Sequence, residues 1–217
     1  MRAPKASVPG RPLTCGVAAA GPSPVPFRPD LFWIAADAGL TKLTEAGLKP
    51  DLVIGDFDSL GFVPDGPVLR FPKRKDDTDT MLAVKEALRR GFRRICLYGA
   101  AGGRLDHTVA NLQTLLYADR EGAECYLCGE TETATVLSNG SARFAARAAG
   151  RFSAFAVNGP AEGVTLTGLS YEAAKIALSP TFPLGVSNEF VGKEAVITVT
   201  NGTLLLIWDG SPEDRIG

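Results

Sequence analysis

The chain of 217 residues carries 23 lysines and arginines against 24 aspartates and glutamates, for a net charge of −1, and 45% of its residues are hydrophobic. This balance offers no basic field for nucleic acid, and the apolar content excludes a disordered chain. The apolar runs are too short to span a bilayer and no apolar segment follows the proline-interrupted N-terminus, so we expect a cytoplasmic globular protein.

The first part of the chain is predicted to alternate short strands with helices. Residues 1–12 form a loose, proline-rich lead-in. Strands are predicted at 15–20, 31–36 and 52–55. A short helix over 40–46 ends at Gly47, because glycine is favoured just past a helix C-terminus. This alternation is typical of a mainly parallel sheet.

Asp56 and Asp58 follow the third predicted strand directly. If the backbone is still extended there, residues two apart point to the same side, and the two carboxylates converge in front of the strand end. Hard divalent cations such as Mg²⁺ prefer such oxygen ligands, together with phosphate oxygens and water. An aspartate-rich turn is the alternative, because Asp, Ser and Gly are ordinary turn residues.

A charged cluster precedes the second predicted helix and contains Lys75, Asp76, Asp77 and Asp79. Asp77 or Thr78 suits the N-cap position, and Asp79 lies in the first turn, where the helix dipole favours an anion. Acidic residues at a helix start often only cap it. These aspartates beside a lysine are more than capping needs, so we favour a functional cluster.

A glycine-rich loop, residues 99–103, lies between a predicted strand at 94–98 and the third predicted helix. The helix carries one apolar stripe, formed by Leu105, Val109, Leu112 and Leu116. Arg104, His107 and Asn111 share another face and flank a helix N-terminus, whose free N–H groups suit an anion. The loop has neither the Walker A spacing nor the dinucleotide-binding fingerprint.

Several of these side chains are expected at one edge of the sheet. In a parallel sheet, ligands bind outside the carboxyl ends of the strands. Asp37, the two residues Asp56 and Asp58, and the glycine-rich loop each follow a strand end. Asp79 lies in the first turn of a helix that begins at the same edge. Because clustered carboxylates repel one another unless a cation neutralises them, the sequence predicts a metal–nucleotide site there.

After about residue 123 the pattern changes to short β-type segments. They are predicted at 125–127, 133–137, 152–157, 163–166, 175–178, 195–200 and 203–208. Asn201-Gly202 predicts a type I′ hairpin between the last two. We therefore expect an α/β domain over 13–130, followed by an antiparallel β-sandwich or jelly-roll-like domain over 131–217.

Two further features after about residue 123 have structural interpretations. Cys125 and Cys128 form a C-x-x-C pair, but no second pair accompanies them, so a core strand is favoured over a zinc site. The stretch 185–190, which includes Ser187 and Asn188, is interpreted as a surface loop on its pattern alone.

Five sequence blocks together resemble the thiamin pyrophosphokinase family. They are ADAG at 36–39, KPDLVIGDFDS at 49–59, KDDTD at 75–79, GGRLDHTVAN at 102–111 and SNEF at 187–190. The blocks occur in the family order and span nearly the whole chain. The chain departs from the family at Ala38, where a second glycine is usual, and the added methyl group would slightly restrict backbone approach.

The resemblance implies Mg-dependent transfer of a pyrophosphoryl group from ATP to the hydroxyethyl alcohol of thiamine, giving thiamine diphosphate and AMP. It assigns Asp56, Asp58 and Asp79 to Mg²⁺ and, with Arg104 and Asp106, to catalysis. Around the nucleotide it places Asp37, Lys75, Asp76, Gly102, Gly103, Arg104, His107 and Asn111. It assigns Ser187 and Asn188 to thiamine. It also implies a β-sandwich that binds thiamine and dimerises, in a homodimer with sites between the subunits.

In that reaction the alcohol attacks the β-phosphorus, so positioning and charge neutralisation dominate catalysis. Arg104 offers a bidentate fork to phosphate. A carboxylate of the cluster or His107 accepts the proton, and the residues do not decide which. Two other functions stay open: a pyrophosphokinase acting on a pterin alcohol, and a non-catalytic nucleotide sensor. Ser187 and Asn188 argue against the first, and the three metal-type aspartates argue against the second.

Overall fold

The computed structural model describes residues 14–57, 61–62, 64–72 and 76–217. The chain divides into two compact units, one ending at Glu130 and the other spanning Thr131–Gly217. The predicted lead-in, Asp58 and Lys75 lie outside the described residues.

The first unit is a parallel sheet with helices. Its strands are β1 (Thr14–Ala18), β2 (Phe32–Ala36), β3 (Leu52–Gly55), β4 (Val68–Arg70), β5 (Arg94–Tyr98) and β6 (Glu124–Cys128). Its helices are α1 (Gly39–Glu45), α2 (Asp79–Arg89) and α3 (Leu105–Arg120). Neighbouring strands are parallel, in the order β4-β3-β2-β1-β5-β6. The order reverses between β1 and β5, and such switch points are where these sheets bind ligands.

The central strands are buried, as expected of a parallel sheet that is covered on both faces. Four predicted strands are confirmed, to within about two residues at their ends: 15–20, 31–36, 52–55 and 94–98. β4 was not predicted, because its residues are only half-buried or exposed and lack an apolar run. Cys125 and Cys128 are both buried in β6, which confirms the core-strand interpretation.

The C-terminus of α1 and the N-terminus of α2 lie where the sequence predicts them. Gly47, with φ of +70°, lies just past the C-cap of α1. Thr78 is the N-cap of α2, where its hydroxyl accepts a hydrogen bond from the Met81 N–H at 3.1 Å, and Asp79 lies in the first turn. Within the described part of the chain, none of the helices is long and apolar enough to cross a membrane.

The third helix turns a different face to the interior from the one its apolar stripe predicted. Leu105 and Val109 are 77% and 49% exposed. The buried residues include Asn111, Leu115 and Ala118, which share a face at spacings of four and three residues. The stripe prediction is wrong because it counted only apolar side chains, whereas the inner face carries an asparagine whose amide finds a backbone partner.

The second unit is antiparallel. Its strands are β7 (Glu132–Ser138), β8 (Ser141–Phe144), β9 (Arg151–Thr167), β10 (Ala173–Leu178), β11 (Asn188–Glu189), β12 (Ala195–Thr198) and β13 (Asn201–Asp209). They follow the order β7-β13-β9-β12-β8, and β10 and β11 also pair with β9. The predicted fold class, parallel α/β followed by antiparallel β, is confirmed.

β9 joins two segments that were predicted as separate strands. Its first half pairs with β13 and its second half with β12. Between the halves, Asn158, Gly159 and Gly163 have positive φ, which lets the strand bend. The prediction of a type I′ hairpin at Asn201-Gly202 is wrong, because β12 and β13 pair with other strands. β12 pairs with β8 and β9, whereas β13 pairs with β7 and β9.

Aromatic rings fill the core of the second unit. Phe144 is fully buried, and its ring centroid lies 5.1 Å from that of Trp208 and 5.5 Å from that of Phe152. Phe190 completes the cluster at 5.7 Å from Phe152. Such tilted and edge-to-face contacts add to the free energy of burial.

We expect Phe144→Ala to lower the free energy of unfolding by about 3–5 kcal/mol, because it leaves a cavity among three aromatic rings. Urea denaturation measures the loss. Phe182→Ala is the matched control, since Phe182 is 65% exposed. Equal losses in the two variants would contradict the assignment of Phe144 to the core.

Candidate active site

In the turn after β2, Asp37 has a left-handed backbone conformation and a buried carboxylate oxygen without a hydrogen-bond partner in the described part of the chain. Its φ is +48°, in the left-handed region that few residues other than glycine adopt. Its N–H donates to the Ile54 carbonyl at 2.7 Å, which ties the turn to β3. Its Oδ1 is buried and has no hydrogen-bond partner among the described residues. An unpartnered buried oxygen calls for a physical explanation, and the ligand role predicted for Asp37 would supply one.

The chain after β3 turns and does not stay extended. At Gly55 a β-carbon would lie 3.2 Å from Asp37 Oδ1, so glycine leaves room for that carboxylate. Asp56 is half-buried, and Phe57 is 3% exposed with φ of +66°. The extended geometry expected here is therefore wrong at Phe57. Asp58 lies outside the described residues, so the convergence of the two carboxylates stays a prediction.

The acidic residues before α2 have different surroundings. The Lys85 ammonium donates to both Asp77 oxygens, at 2.8 and 2.7 Å, and lies 5.5 Å from the centroid of the Tyr117 ring. The hydrogen bond to Asp77 raises the pKa of Lys85. Asp77 therefore already has a cationic partner within the protein. Asp76 is exposed, whereas Asp79 is half-buried in the first turn of α2.

Carboxylates are the common feature of this sheet edge, and they suit a hard cation. Asp37 and Asp56 follow neighbouring strands, and α2 begins at the same edge because it follows β4. The unpartnered Oδ1 of Asp37 fits an oxygen-liganded cation nearby. Within the described ranges, however, no group of three or more His, Cys, Asp or Glu side chains could hold a metal ion. The assignment of Mg²⁺ to Asp56, Asp58 and Asp79 stays a prediction.

The glycine-rich loop packs against the loop that follows β1. The Gly21 N–H donates to the Gly99 carbonyl at 2.6 Å. β-Carbons on Gly102 and Gly103 would lie 3.1 and 3.2 Å from the Pro22 ring, and both glycines have positive φ. Backbone conformation and the neighbouring proline thus require these glycines, whether or not a ligand approaches.

Arg104 and Asp106 form an ion pair at the start of α3. The guanidinium donates to both carboxylate oxygens, at 3.1 and 2.6 Å, and the two side chains are 73% and 65% exposed. The hydrogen bond lowers the pKa of Asp106 and raises the pKa of Arg104. The His107 N–H also donates to Asp106, at 2.9 Å. The structure thus brings these three predicted residues together at the helix N-terminus.

Asn111 is directed at the glycine-rich loop. It is 5% exposed, and its Nδ2 donates to the Ala100 carbonyl at 2.7 Å. The asparagine therefore supports the loop from the helix side.

In the second unit, Ser187 and Asn188 have different roles. Ser187 is exposed with φ of +60°, and its N–H donates to the Ser153 hydroxyl at 3.1 Å. Asn188 is buried: its Oδ1 accepts from the N–H groups of Tyr171 and Glu189, both at 2.9 Å, and its Nδ2 donates to the Tyr171 carbonyl at 2.7 Å. Asn188 thereby clamps the loop that carries Tyr171.

Sequence reasoning missed Tyr171, whose side chain is 72% exposed on a backbone held by these hydrogen bonds. It lies 17 residues from Asn188 along the chain, and no local pattern indicates that contact. Tyrosine, with an apolar ring and a polar hydroxyl, is common at recognition surfaces.

Both units match models of one family. The model described as "Thiamin pyrophosphokinase, catalytic domain" matches residues 28–127, and "Thiamin pyrophosphokinase, vitamin B1 binding domain" matches residues 149–204. The chain is 27% identical over 184 residues to the thiamine pyrophosphokinase of Bacillus subtilis (strain 168). The aligned region covers 81% of this chain and 86% of that protein.

Solved structures agree with the fold. The crystal structure of thiamine pyrophosphokinase from Bacillus subtilis matches with a TM-score of 0.82 and 25% identity, covering 91% of this chain and 99% of that one. The thiamin pyrophosphokinase from Geobacillus thermodenitrificans matches with a TM-score of 0.79 and 29% identity, covering 93% and 99%. The enzyme from Candida albicans, at 14% identity and a TM-score of 0.74, supports the fold alone.

We expect Asp37→Asn to weaken MgATP binding by about tenfold or more, because it removes the charge of a carboxylate at the carboxyl ends of the parallel strands, where ligands are expected. The unfolding free energy should stay within about 0.5 kcal/mol, since asparagine tolerates positive φ. Calorimetric titration and urea denaturation measure the two quantities. The control is Asp65→Asn at an exposed position, and unchanged affinity in both variants would argue against a ligand role for Asp37.

Proposed function

Because the chain belongs to the thiamin pyrophosphokinase family of enzymes, we propose that it transfers the pyrophosphoryl group of ATP to the hydroxyethyl alcohol of thiamine, giving thiamine diphosphate and AMP. The match of each unit to its own model of that family carries the proposal. Residues 13–130 would bind the nucleotide and metal, and 131–217 would bind thiamine and dimerise.

The proposed nucleotide site lies at the carboxyl edge of the parallel sheet. Asp56, Asp58 and Asp79 would hold Mg²⁺, which when bound neutralises charge on the phosphate oxygens. The residues proposed around the nucleotide are Asp37, Lys75, Asp76, Gly102, Gly103, Arg104, Asp106, His107 and Asn111. The unpartnered oxygen of Asp37 and the position of Arg104 at the N-terminus of α3 support this placement.

In the proposed reaction the alcohol oxygen of thiamine bonds to the β-phosphorus while the bond to the α,β-bridging oxygen breaks. AMP leaves with that electron pair. Arg104 supplies a guanidinium fork that stabilises the developing charge, and it has to exchange its Asp106 partner for phosphate. The hydroxyl proton passes to one of the aspartates proposed at the carboxyl ends of the parallel strands or to His107, whose side chain is exposed.

The acceptor side of the proposal uses the second unit. Ser187 is exposed and offers a hydroxyl, whereas the buried Asn188 holds the backbone of Tyr171. The exposed ring of Tyr171 suits thiamine, because the cationic thiazolium is attracted to an aromatic face. Asn188 then contributes to acceptor binding by holding the backbone that carries this ring.

We place the enzyme in the cytoplasm as a homodimer. Four buried cysteines that form no disulfide agree with a reducing compartment. The second unit exposes Phe182, Leu184 and Val186 at 65%, 58% and 50%, and such apolar side chains suit a subunit interface. Sites between the subunits are part of the proposal.

A pterin alcohol is the alternative acceptor, and a nucleotide sensor without turnover is the alternative of another class. A panel of thiamine, a hydroxymethylpterin and no acceptor, each with MgATP, separates these functions. The proposal expects AMP release with thiamine alone. Release with the pterin alone would favour the related pyrophosphokinase, and MgATP binding without AMP release from any acceptor would favour the sensor.

We expect Arg104→Lys to raise the KM for MgATP by about tenfold and leave the KM for thiamine unchanged, because lysine cannot make the bidentate contact. Steady-state kinetics measures both constants. Arg120→Lys, in the last turn of the same helix, is the matched control. A normal KM in Arg104→Lys would remove Arg104 from the phosphate contacts.

A further inference from the structure

The glycine-rich loop has little conformational preference of its own. Gly99, Gly102 and Gly103 have φ values of +62°, +75° and +72°, and glycine adopts positive and negative φ almost equally. Contacts from outside the loop must therefore select the conformation that leads into Arg104, the N-cap residue of α3.

One set of contacts comes from the loop after β1. The Gly21 N–H donates to the Gly99 carbonyl at 2.6 Å, and the Ala101 N–H donates to the Ser23 hydroxyl at 3.5 Å. Ser23 is only 6% exposed, although the prolines on either side of it are exposed. Its hydroxyl is therefore turned towards the glycine-rich loop.

A second contact comes from α3. Asn111 lies on the buried face with Leu115 and Ala118, and its Nδ2 donates to the Ala100 carbonyl at 2.7 Å. Loss of this bond would leave a buried carbonyl without its partner, which is more costly than losing an exposed hydrogen bond. Two buried polar side chains that are far apart in the sequence, Ser23 and Asn111, thus hydrogen-bond to the backbone of the loop.

We propose that Asn111 and Ser23 are positioning residues for nucleotide binding, which fix the glycine-rich loop and thereby place Arg104 and the first N–H groups of α3. The inference rests on the proposed function, because it takes the anion at this helix start to be the phosphates of ATP. Asn111 acts through Ala100, since its amide is buried and directed at the loop.

Calorimetric titration of the full chain with MgATP tests the proposal. We expect the Kd for MgATP to rise about tenfold in Asn111→Ala, and by a smaller factor in Ser23→Ala, whose hydrogen bond is longer. The Kd for thiamine should not change. Hydrogen exchange of the peptide covering 99–103 should become faster in both variants, which a contact with phosphate alone would not cause in the absence of nucleotide.

Thr114→Val is the matched control. Thr114 is fully buried on the same helix, and its hydroxyl donates to the Ala110 carbonyl at 3.0 Å, within the helix. The substitution removes a hydrogen bond from the same helix without touching the loop. We expect it to lower the melting temperature while the Kd for MgATP and the exchange of 99–103 stay as in the wild type.

An unchanged Kd in folded Asn111→Ala and Ser23→Ala would overturn the proposal, and so would equal weakening in Thr114→Val. If Asn111→Ala does not fold, Ser23→Ala decides the question. Because binding is measured without turnover, a wild-type chain that binds MgATP but forms no thiamine diphosphate refutes the proposed function and leaves this inference testable. A wild-type chain that binds no MgATP refutes both.

Discussion

Parallel pairing of β1 with the strands on both of its sides is the constraint on which the candidate site depends. Ala18 lies opposite Ala35 of β2 and Tyr98 of β5, so the three strands end nearly level. Because they also run in the same direction, the turn at Asp37 and the glycine-rich loop leave the sheet at one edge. The burial of every residue of β2 and β3 supplies the hydrophobic free energy that holds this edge in place.

Three of the six non-glycine residues with positive φ in the described chain lie in the sequence blocks of the candidate site. Asp37, Phe57 and Ser187 have φ between +48° and +66°. Such a conformation costs on the order of 1 kcal/mol or more for Phe57 and Ser187, whereas aspartate tolerates it better. The unpartnered Oδ1 of Asp37 adds a desolvation penalty. Residues that break local rules in this way are expected where binding has been favoured over stability. Buried strands and the hydrogen bonds around each turn offset the cost.

Hydrophobic patterning was enough to predict the strands at 52–55 and 94–98 and the change from α/β to antiparallel β, because burial determines those residues. It failed for α3, whose inner face includes the polar Asn111, and for the hairpin at 201–202, because both strands pair with the long β9. For the site, spacing indicated which carboxylates and which helix start to consider. It could not indicate the partners of Asn111 and Asn188, since those hydrogen bonds join residues 11 and 17 apart.

The central claim is that this chain moves a pyrophosphoryl group and not a single phosphoryl group. Purified protein with MgATP and thiamine, analysed for both nucleotide and thiamine products, tests it most directly, with EDTA and no-thiamine controls. The account predicts AMP and thiamine diphosphate in a one-to-one ratio, abolished by EDTA. ADP with thiamine monophosphate, or no product from a folded protein that binds MgATP, would contradict it.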